Sequence, residues 1–391
     1  MADFAELMRV LSRPRPSGSR AERETLAALC AWLERRGIAY ERHTFRLYPY
    51  FFEATGAWLI ASRTLLAWAA LRGWGWRALP VALLGQLGGA ADIFGLPLVT
   101  WPGATDGASL LIPFGPRGAE RELLICAHYD SKTELLDHRR RALLLRGLRP
   151  GIALTLVTAL LAALEGRLRS GGSCGAGVAR ALAVAASLPV LLLAWALGLN
   201  LALGRLARPS TGAVDNGAAC AVLLALAERL AAGAVPTGRT CVTLAILGGE
   251  EVNMQGSRAL VRHWRKLKAG RSRMTAVNLE LMGQRGGYVL WERDGNALRT
   301  MPTDGALSAL VADAVRAVTG KAPEREPLIN SDAYSFLAAG IPAAVLGTRD
   351  PRYGTGGLHR PTDSPARVDP ARLAEGVAVL AEIIRRVDAA P

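Results

Sequence analysis

The chain holds five histidines: His43, His128, His138, His263 and His359. His128 closes the apolar run RELLICAHYD, and Asp130 follows two residues later. Side chains two apart along a strand share a face. Asp130 is thus placed to hold the second ring nitrogen of a metal-binding His128 and to fix its tautomer. A strand-end histidine with ordinary hydrogen bonds fits the same spacing. Asp215, in STGAVDNGAACAVLL, sits on a glycine-flanked turn ahead of an apolar helical run. Such a position suits either a helix N-cap or a ligand. Glu250 and Glu251 directly follow the nearly uncharged run TCVTLAILGG. Adjacent like charges repel, so stability explains the pair poorly. A division of labour explains it better, with one carboxylate on a metal and the other holding a proton as general base. Glu280 is the one acid in the apolar run TAVNLELMG, and a buried carboxylate needs a partner such as a cation. His359 lies in the glycine-rich loop GTGGLHRPTD, which can reach across to a site. Two imidazoles and a set of carboxylates without thiolates suit a borderline divalent ion such as zinc.

The elements that must carry these residues alternate. The amphipathic helix SRAERETLAALCAWLERR opens the chain, and helical and strand-like runs alternate from residue 210 to the end. That alternation predicts an α/β fold, a mostly parallel mixed sheet with helices on both faces. Ligand sites in such folds gather at the carboxyl ends of the strands. A 391-residue chain that is 51% hydrophobic and 20% charged is not disordered. A mean hydropathy of +0.21 is high for a soluble enzyme. The net charge of +14 invites a nucleic-acid reading. Only four of the 47 basic residues are lysines, and no interleaved aromatic-basic motif exists, so we expect no nucleic-acid partner. Five scattered cysteines without a CxxC pair point to neither a disulfide framework nor a thiolate site. The first residues lack an apolar stretch after a basic one, so no cleavable signal is expected.

Two apolar interruptions divide the α/β pattern. One zinc-site domain is expected from residues 1–50, 105–138 and 210–391. Residues 51–104 form a hydrophobic hairpin insertion, either two passes or an interfacial hairpin, since Arg63 and Asp92 would be costly at mid-bilayer. Residues 139–209 form a transmembrane helical hairpin: 181–204 is long enough to cross about 30 Å of hydrocarbon, whereas PGIALTLVTALLAAL alone is short. A lipid bilayer is therefore an expected partner. Arginines outnumber on the side of the α/β body those at the hairpin tips, which predicts a multi-pass membrane protein with a cytoplasmic catalytic body.

The ordered set ICAHYDS, AVDNGAA, LGGEE, VNLELMG and LHRPTD resembles metallopeptidase family twenty-eight, the co-catalytic zinc family of aminopeptidases, glutamate carboxypeptidases and glutaminyl cyclases. The opening LSRPRPSGSRAERE and the later NSDAYSFLAAGIPAAVLG look like further landmarks of it. The resemblance implies two Zn²⁺, with His128 and Glu251 on one, Glu280 and His359 on the other, and Asp215 bridging both. Glu250 would be the general base and Asp130 would orient His128, in hydrolysis of a peptide substrate by a water that two metals acidify. Glu280 stands where the family uses Asp, and the gap between Asp130 and Asp215 is far longer than usual because it holds an insertion. A loop that leaves and returns at one point costs only logarithmically in entropy, so the insertion is tolerable. Aminopeptidase action is the leading expectation. A carboxypeptidase, deacylase or glutaminyl cyclase on the same fold, and a non-catalytic membrane receptor on it, are the alternatives. Ser331, Asp332 and Tyr334 are candidates for contact with substrate or for a helix cap.

Overall fold

Apolar runs read as strands do become strands, and their side chains alternate between two cores. On the third strand Leu123, Ile125 and Ala127 point to one face, and Leu124 and Cys126 to the other. The computed structural model describes residues 3–95, 103–116, 118–119, 121–267, 273–354 and 356–390. In chain order the elements begin α1 (Phe4–Leu11), α2 (Arg20–Glu34), β1 (Glu41–Leu47), α3 (Phe51–Arg72), α4 (Ala78–Phe94), β2 (Thr105–Phe114) and β3 (Arg121–His128). Then come α5 (His138–Arg146), α6 (Leu148–Ser170), α7 (Gly175–Ala202), α8 (Ala218–Ala231), β4 (Thr240–Leu247), α9 (Gln255–Leu267) and β5 (Arg273–Glu280). The chain ends through β6 (Tyr288–Trp291), β7 (Arg293–Gly295), β8 (Thr300–Pro302), α10 (Gly305–Thr319), β9 (Glu324–Glu326), α11 (Ala333–Leu337), β10 (Ala343–Thr348) and α12 (Pro370–Ala389).

Eight strands form one sheet in the order β1-β2-β4-β3-β5-β10-β6-β9, and β7 and β8 make a separate ribbon. The four central strands β4, β3, β5 and β10 run parallel, and antiparallel pairs flank them. Helices α1, α2, α8, α10 and α12 cover one face, while α9 and α11 cover the other. Local sequence sets the helix ends. Asp304 accepts the Leu307 N–H at 2.8 Å to start α10, and Gly320 at φ +71° stops it.

The two apolar insertions pack together. Helices α3, α4, α6 and α7 enclose a core of Leu66, Ala69, Ala70, Ala78, Ala82, Ala159, Ala162 and Ala183. Small residues let the backbones approach: a Cβ on Gly198 would lie 2.8 Å from the Gly56 carbonyl oxygen, and one on Gly166 would lie 2.7 Å from the Gly75 Cα. The run expected to be too short is only part of α6, which continues to Ser170, and α7 runs through Pro189 without stopping. Leu71, Trp76, Leu83, Leu160, Leu182 and Leu192 point outward and are exposed. Arg63 is buried within the bundle and donates to Gln86 at 3.4 Å; the side chain of Asp92 lies outside the described residues. Three helical stretches, Phe51–Arg72, His138–Ser170 and Gly175–Ala202, are long and apolar enough to cross a membrane by length and composition.

Register shows where the bundle leaves the sheet. Leu47, the last residue of β1, pairs with Thr105, the first of β2. Strand β2 runs against β4, so Thr105 lies toward the carboxyl end of β4. His128, which ends β3, pairs with Leu247 at that same end. Both insertions therefore depart from the edge of the sheet that carries His128, Glu250 and Glu251.

Candidate metal centre

Each proposed site residue is held at that edge by a different element. His128 ends β3, Glu250 and Glu251 form the turn after β4, Glu280 ends β5, Asp215 precedes α8, and His359 lies in the loop before α12. His128 Nε2 lies 3.2 Å from Asp215 Oδ1, 3.8 Å from Glu250 Oε2 and 3.9 Å from Glu280 Oε2. His359 Nε2 lies 3.2 Å from Asp215 Oδ2 and 3.2 Å from Glu251 Oε1. Ligand atoms of His128, Asp215 and Glu280 fall within 4.8 Å of one another, as do those of Asp215, Glu251 and His359 and those of His128, Glu250 and Glu251. The first two trios share Asp215 alone. Those two trios together use five side chains, and Glu250 enters only the third.

His128 stands with Asp215 and Glu280 in one group and with Glu250 and Glu251 in another, the second holding the His128–Glu251 pair that the resemblance implies, while Glu251 also faces His359 across 3.2 Å. Strand order explains why His128 enters both groups. Strand β3 lies directly between β4 and β5, so His128 is within reach of both, while the loop of His359 approaches from the Glu251 side.

The residues present fit divalent cations. Glu251 Oε1, which faces His359 Nε2 at 3.2 Å, is buried and lacks a hydrogen bond, and the cluster brings four carboxylates around two imidazoles in a largely buried site. Burial would lower the pKa of His128, yet Glu250, Asp130, Asp215 and Glu280 hold it well above the usual value. Burial opposes the His359 imidazolium too, but Glu251, Glu134 and Asp215 push its pKa well up. Burial, with neighbouring acids added, raises Glu250 and Glu280 well above the carboxylate range. Asp215 moves the other way: burial would raise it, and the two histidines hold it well below. Protons on the cluster thus stand where cations would.

The sign of the pH dependence follows. His128, His359, Glu250 and Glu280 bind protons more tightly folded than unfolded. Their stabilisation is full below the unfolded values, about 6.5 for His and 4.3 for Glu, and is lost as pH rises through the folded ones. Asp215 acts oppositely, but only as pH falls below about 4. We expect the metal-free protein to melt at steadily lower temperature as pH rises from about 5 to 9, and saturating zinc to flatten that slope by replacing the protons. Thermal unfolding across that range, with and without zinc, measures both; a metal-free melting point that climbs with pH contradicts the cluster.

Around the ligands lies a shell that sequence reasoning largely missed. Asp130 accepts from Ser17 Oγ at 2.6 Å and from the Glu250 and Glu251 N–H groups at 3.3 and 3.1 Å. It lies 3.6 Å from His128 Nδ1, whose closer partner is the Asp130 backbone carbonyl at 3.2 Å. It therefore fixes the twin-glutamate turn as well as the strand end. Arg15, fully buried, donates to the carbonyls of Tyr129, Thr211 at 2.7 Å and Gly212 at 2.8 Å, tying β3 to the Asp215 turn. Asp363 accepts the Val214 N–H at 2.8 Å on the same turn. Asn216 donates to Glu280 Oε2 at 3.1 Å, and Asn278 to Glu280 Oε1 at 2.9 Å. Glu134 lies 3.5 Å from His359 Nδ1, and its N–H donates to the His359 carbonyl, holding that residue at φ +59°. Lys132 and Arg141 pair with Glu134, and Arg141 belongs to the second insertion. Burial would raise the Glu134 carboxyl, but Arg141, Lys132 and His359 hold it well below the usual range. Asp130 was read from the sequence; Glu134, charged and close in sequence to His128, is a further member that the sequence could have flagged.

Ser331, Asp332 and Tyr334 are all buried, and Asp332 makes no side-chain cap to α11. Ser331 Oγ donates instead to Asp294. Asp332 is a further buried acid, pushed up to about 6 by burial, and its charge opposes ionisation of Glu250.

The fold resembles the glutaminyl cyclase of Fimbriiglobus ruber (TM-score 0.57, 16% identity, covering 98% of this chain and 95% of that one). It also resembles a zinc aminopeptidase of Bacillus subtilis (TM-score 0.56, 12% identity, 98% and 95% covered). A third likeness is to a leucine aminopeptidase precursor of Bacteroides thetaiotaomicron (TM-score 0.55, 12% identity, 97% and 94% covered). No curated protein sequence matches the chain. Residues 198–384 match the sequence model of peptidase family M28, a span that carries Asp215, Glu250, Glu251, Glu280 and His359.

Proposed function

We propose that the protein is a membrane-anchored, dinuclear zinc aminopeptidase. The observation that supports this most strongly is the pair of ligand trios sharing Asp215 with Glu250 left over beside them. His128, Asp215 and Glu280 would hold one ion, and Asp215, Glu251 and His359 the other. Zinc bound there supplies Lewis acidity toward a peptide carbonyl and toward water. The chain's own residues do the rest. Glu250, beside both ligand trios, would be the base: with cations bound nearby to offset the burial that otherwise favours its protonated form, it would take a proton from the attacking water and return it to the departing amine. Asp130 holds the Glu250 and Glu251 N–H groups, so the base does not wander from the ligand next to it. Glu134 and the Asp130 backbone carbonyl orient the two imidazoles through their outer nitrogens.

Membrane anchoring rests on the four-helix bundle, whose outer face carries exposed leucines and tryptophans that water would not tolerate as one patch. Tip arginines Arg169 and Arg180 bond carbonyls of Gly73 and Leu71, so both hairpin turns lie together at the far end. Arg139, Arg140, Arg146, Arg149, Arg205 and Arg208 belong to the opposite side, and that excess orients the body to the cytoplasm.

Zinc-loaded protein offered aminoacyl, N-acyl, C-terminal and N-terminal glutaminyl substrates tests the reading. We expect release of the N-terminal residue. Cyclisation of glutaminyl peptides without such release would move the assignment to a cyclase.

A further inference from the structure

A small cleft of about 30 Å³ lies between the ligand Glu251 and the feet of the bundle helices. Its walls include Phe52 and Glu53 at the foot of α3, Leu201 at the foot of α7, Arg205 just beyond, Lys132 from the loop after β3, and the ligand Glu251. These feet are fixed by polar contacts that belong to no bundle alone. Arg205 donates to Glu53 and to the Pro49 carbonyl. Asn200 of α7 accepts the Leu136 N–H at 2.7 Å. Lys132 lies 4.2 Å over the Phe52 ring. Gly204 approaches so closely that a Cβ there would lie 2.4 Å from the Thr133 carbonyl oxygen.

Both insertions leave the sheet at the ligand-bearing edge, so the route to Glu251 runs between the sheet and the level at which the apolar helices begin. A wall with phenylalanine and leucine beside paired charges suits a chain that passes from an apolar to a polar surrounding. We infer that this cleft is a substrate subsite and that the substrate is a peptide held in the bilayer by an apolar segment, its scissile end lying along the lipid surface. The inference rests on the aminopeptidase reading and names the substrate class for that same centre. The inserted helices then serve two purposes, anchoring the enzyme and shaping the pocket beside the metal.

The test uses the full zinc-loaded chain in lipid nanodiscs and one peptide sequence in two forms, soluble or carrying a C-terminal transmembrane anchor in the same discs. We expect kcat/KM for the anchored form to exceed that of the soluble form by about tenfold or more, and Leu201→Trp to raise KM for the anchored form by about tenfold with kcat and zinc content unchanged. Phe52→Trp narrows the same cleft from the other helix and serves if Leu201→Trp does not fold. Equal turnover of the two forms, or a KM that neither variant moves, overturns the inference alone. Cleavage of neither form overturns the aminopeptidase reading and this inference with it.

Discussion

Glu250→Gln is expected to abolish turnover while leaving the metals in place. The substitution keeps the shape of the side chain and removes only its capacity to take a proton. General-base catalysis contributes typically about 10²–10⁴-fold, so kcat falls by that order. Stability should not fall with it. Glu250 is a buried carboxylate facing Glu251, Asp332 and Glu280, and desolvation and like charge both work against its ionised form. Removing the charge relieves those costs. Neither ligand trio that shares Asp215 contains Glu250, so zinc content is unchanged. Steady-state kinetics, zinc analysis and a melting curve on one preparation check the three parts. A variant that loses activity only because it loses zinc would show Glu250 to be a ligand.

Asp215→Asn has the opposite signature. Asp215 presents one oxygen to each imidazole, at 3.2 Å on both sides, and is the one residue common to the two trios. An amide there offers one oxygen where two were needed and brings no charge. Losing a residue that merely orients a ligand costs about 10–100-fold in metal affinity, and losing the shared ligand must cost more. We expect zinc content to drop toward zero after dialysis and activity to drop with it. The low folded pKa of Asp215, which burial opposes and the two histidines enforce, disappears as well. The pH slope of the metal-free melting curve should therefore change below about pH 4, where that contribution would otherwise have been lost. Zinc titration followed by proton release measures the affinity, and retention of two ions by Asp215→Asn is the outcome the geometry forbids.

Much of this site was legible because its residues break the local pattern. His128, Glu280 and the Glu250–Glu251 pair follow the uncharged stretches LLICA, TAVNL and TCVTLAILGG, and burial makes an unexplained charge expensive. The central strands were legible for the related reason that runs buried on both faces are apolar throughout. The reach of His128 to both Glu280 and the Glu250–Glu251 pair was not, because it depends on β3 lying between β4 and β5, a fact of sheet order that no local spacing encodes. Arg15 was also hidden. It works by satisfying backbone carbonyls at Thr211 and Gly212, nearly two hundred residues away, and a lone arginine in an arginine-rich chain carries no mark of that role. The insertions were visible as apolar runs, but their union into one bundle rests on the Gly56–Gly198 and Gly75–Gly166 approaches, where glycine signals closeness without naming the partner.

The pairing of Glu134 with Arg141 ties the second insertion to the chemistry. Arg141 lies in α5, yet its partner faces His359 Nδ1. Insertion and metal centre are thus electrostatically joined at His359 and sterically joined at the Glu251 cleft. A hairpin added only as an anchor would need neither contact.

Anomalous diffraction at the zinc absorption edge from crystals of the zinc-loaded protein tests the central claim most directly. Two peaks are expected, one among His128, Asp215 and Glu280 and the other among Asp215, Glu251 and His359, with Glu250 outside both coordination spheres. A single peak, or none at the carboxyl edge of the sheet, contradicts it.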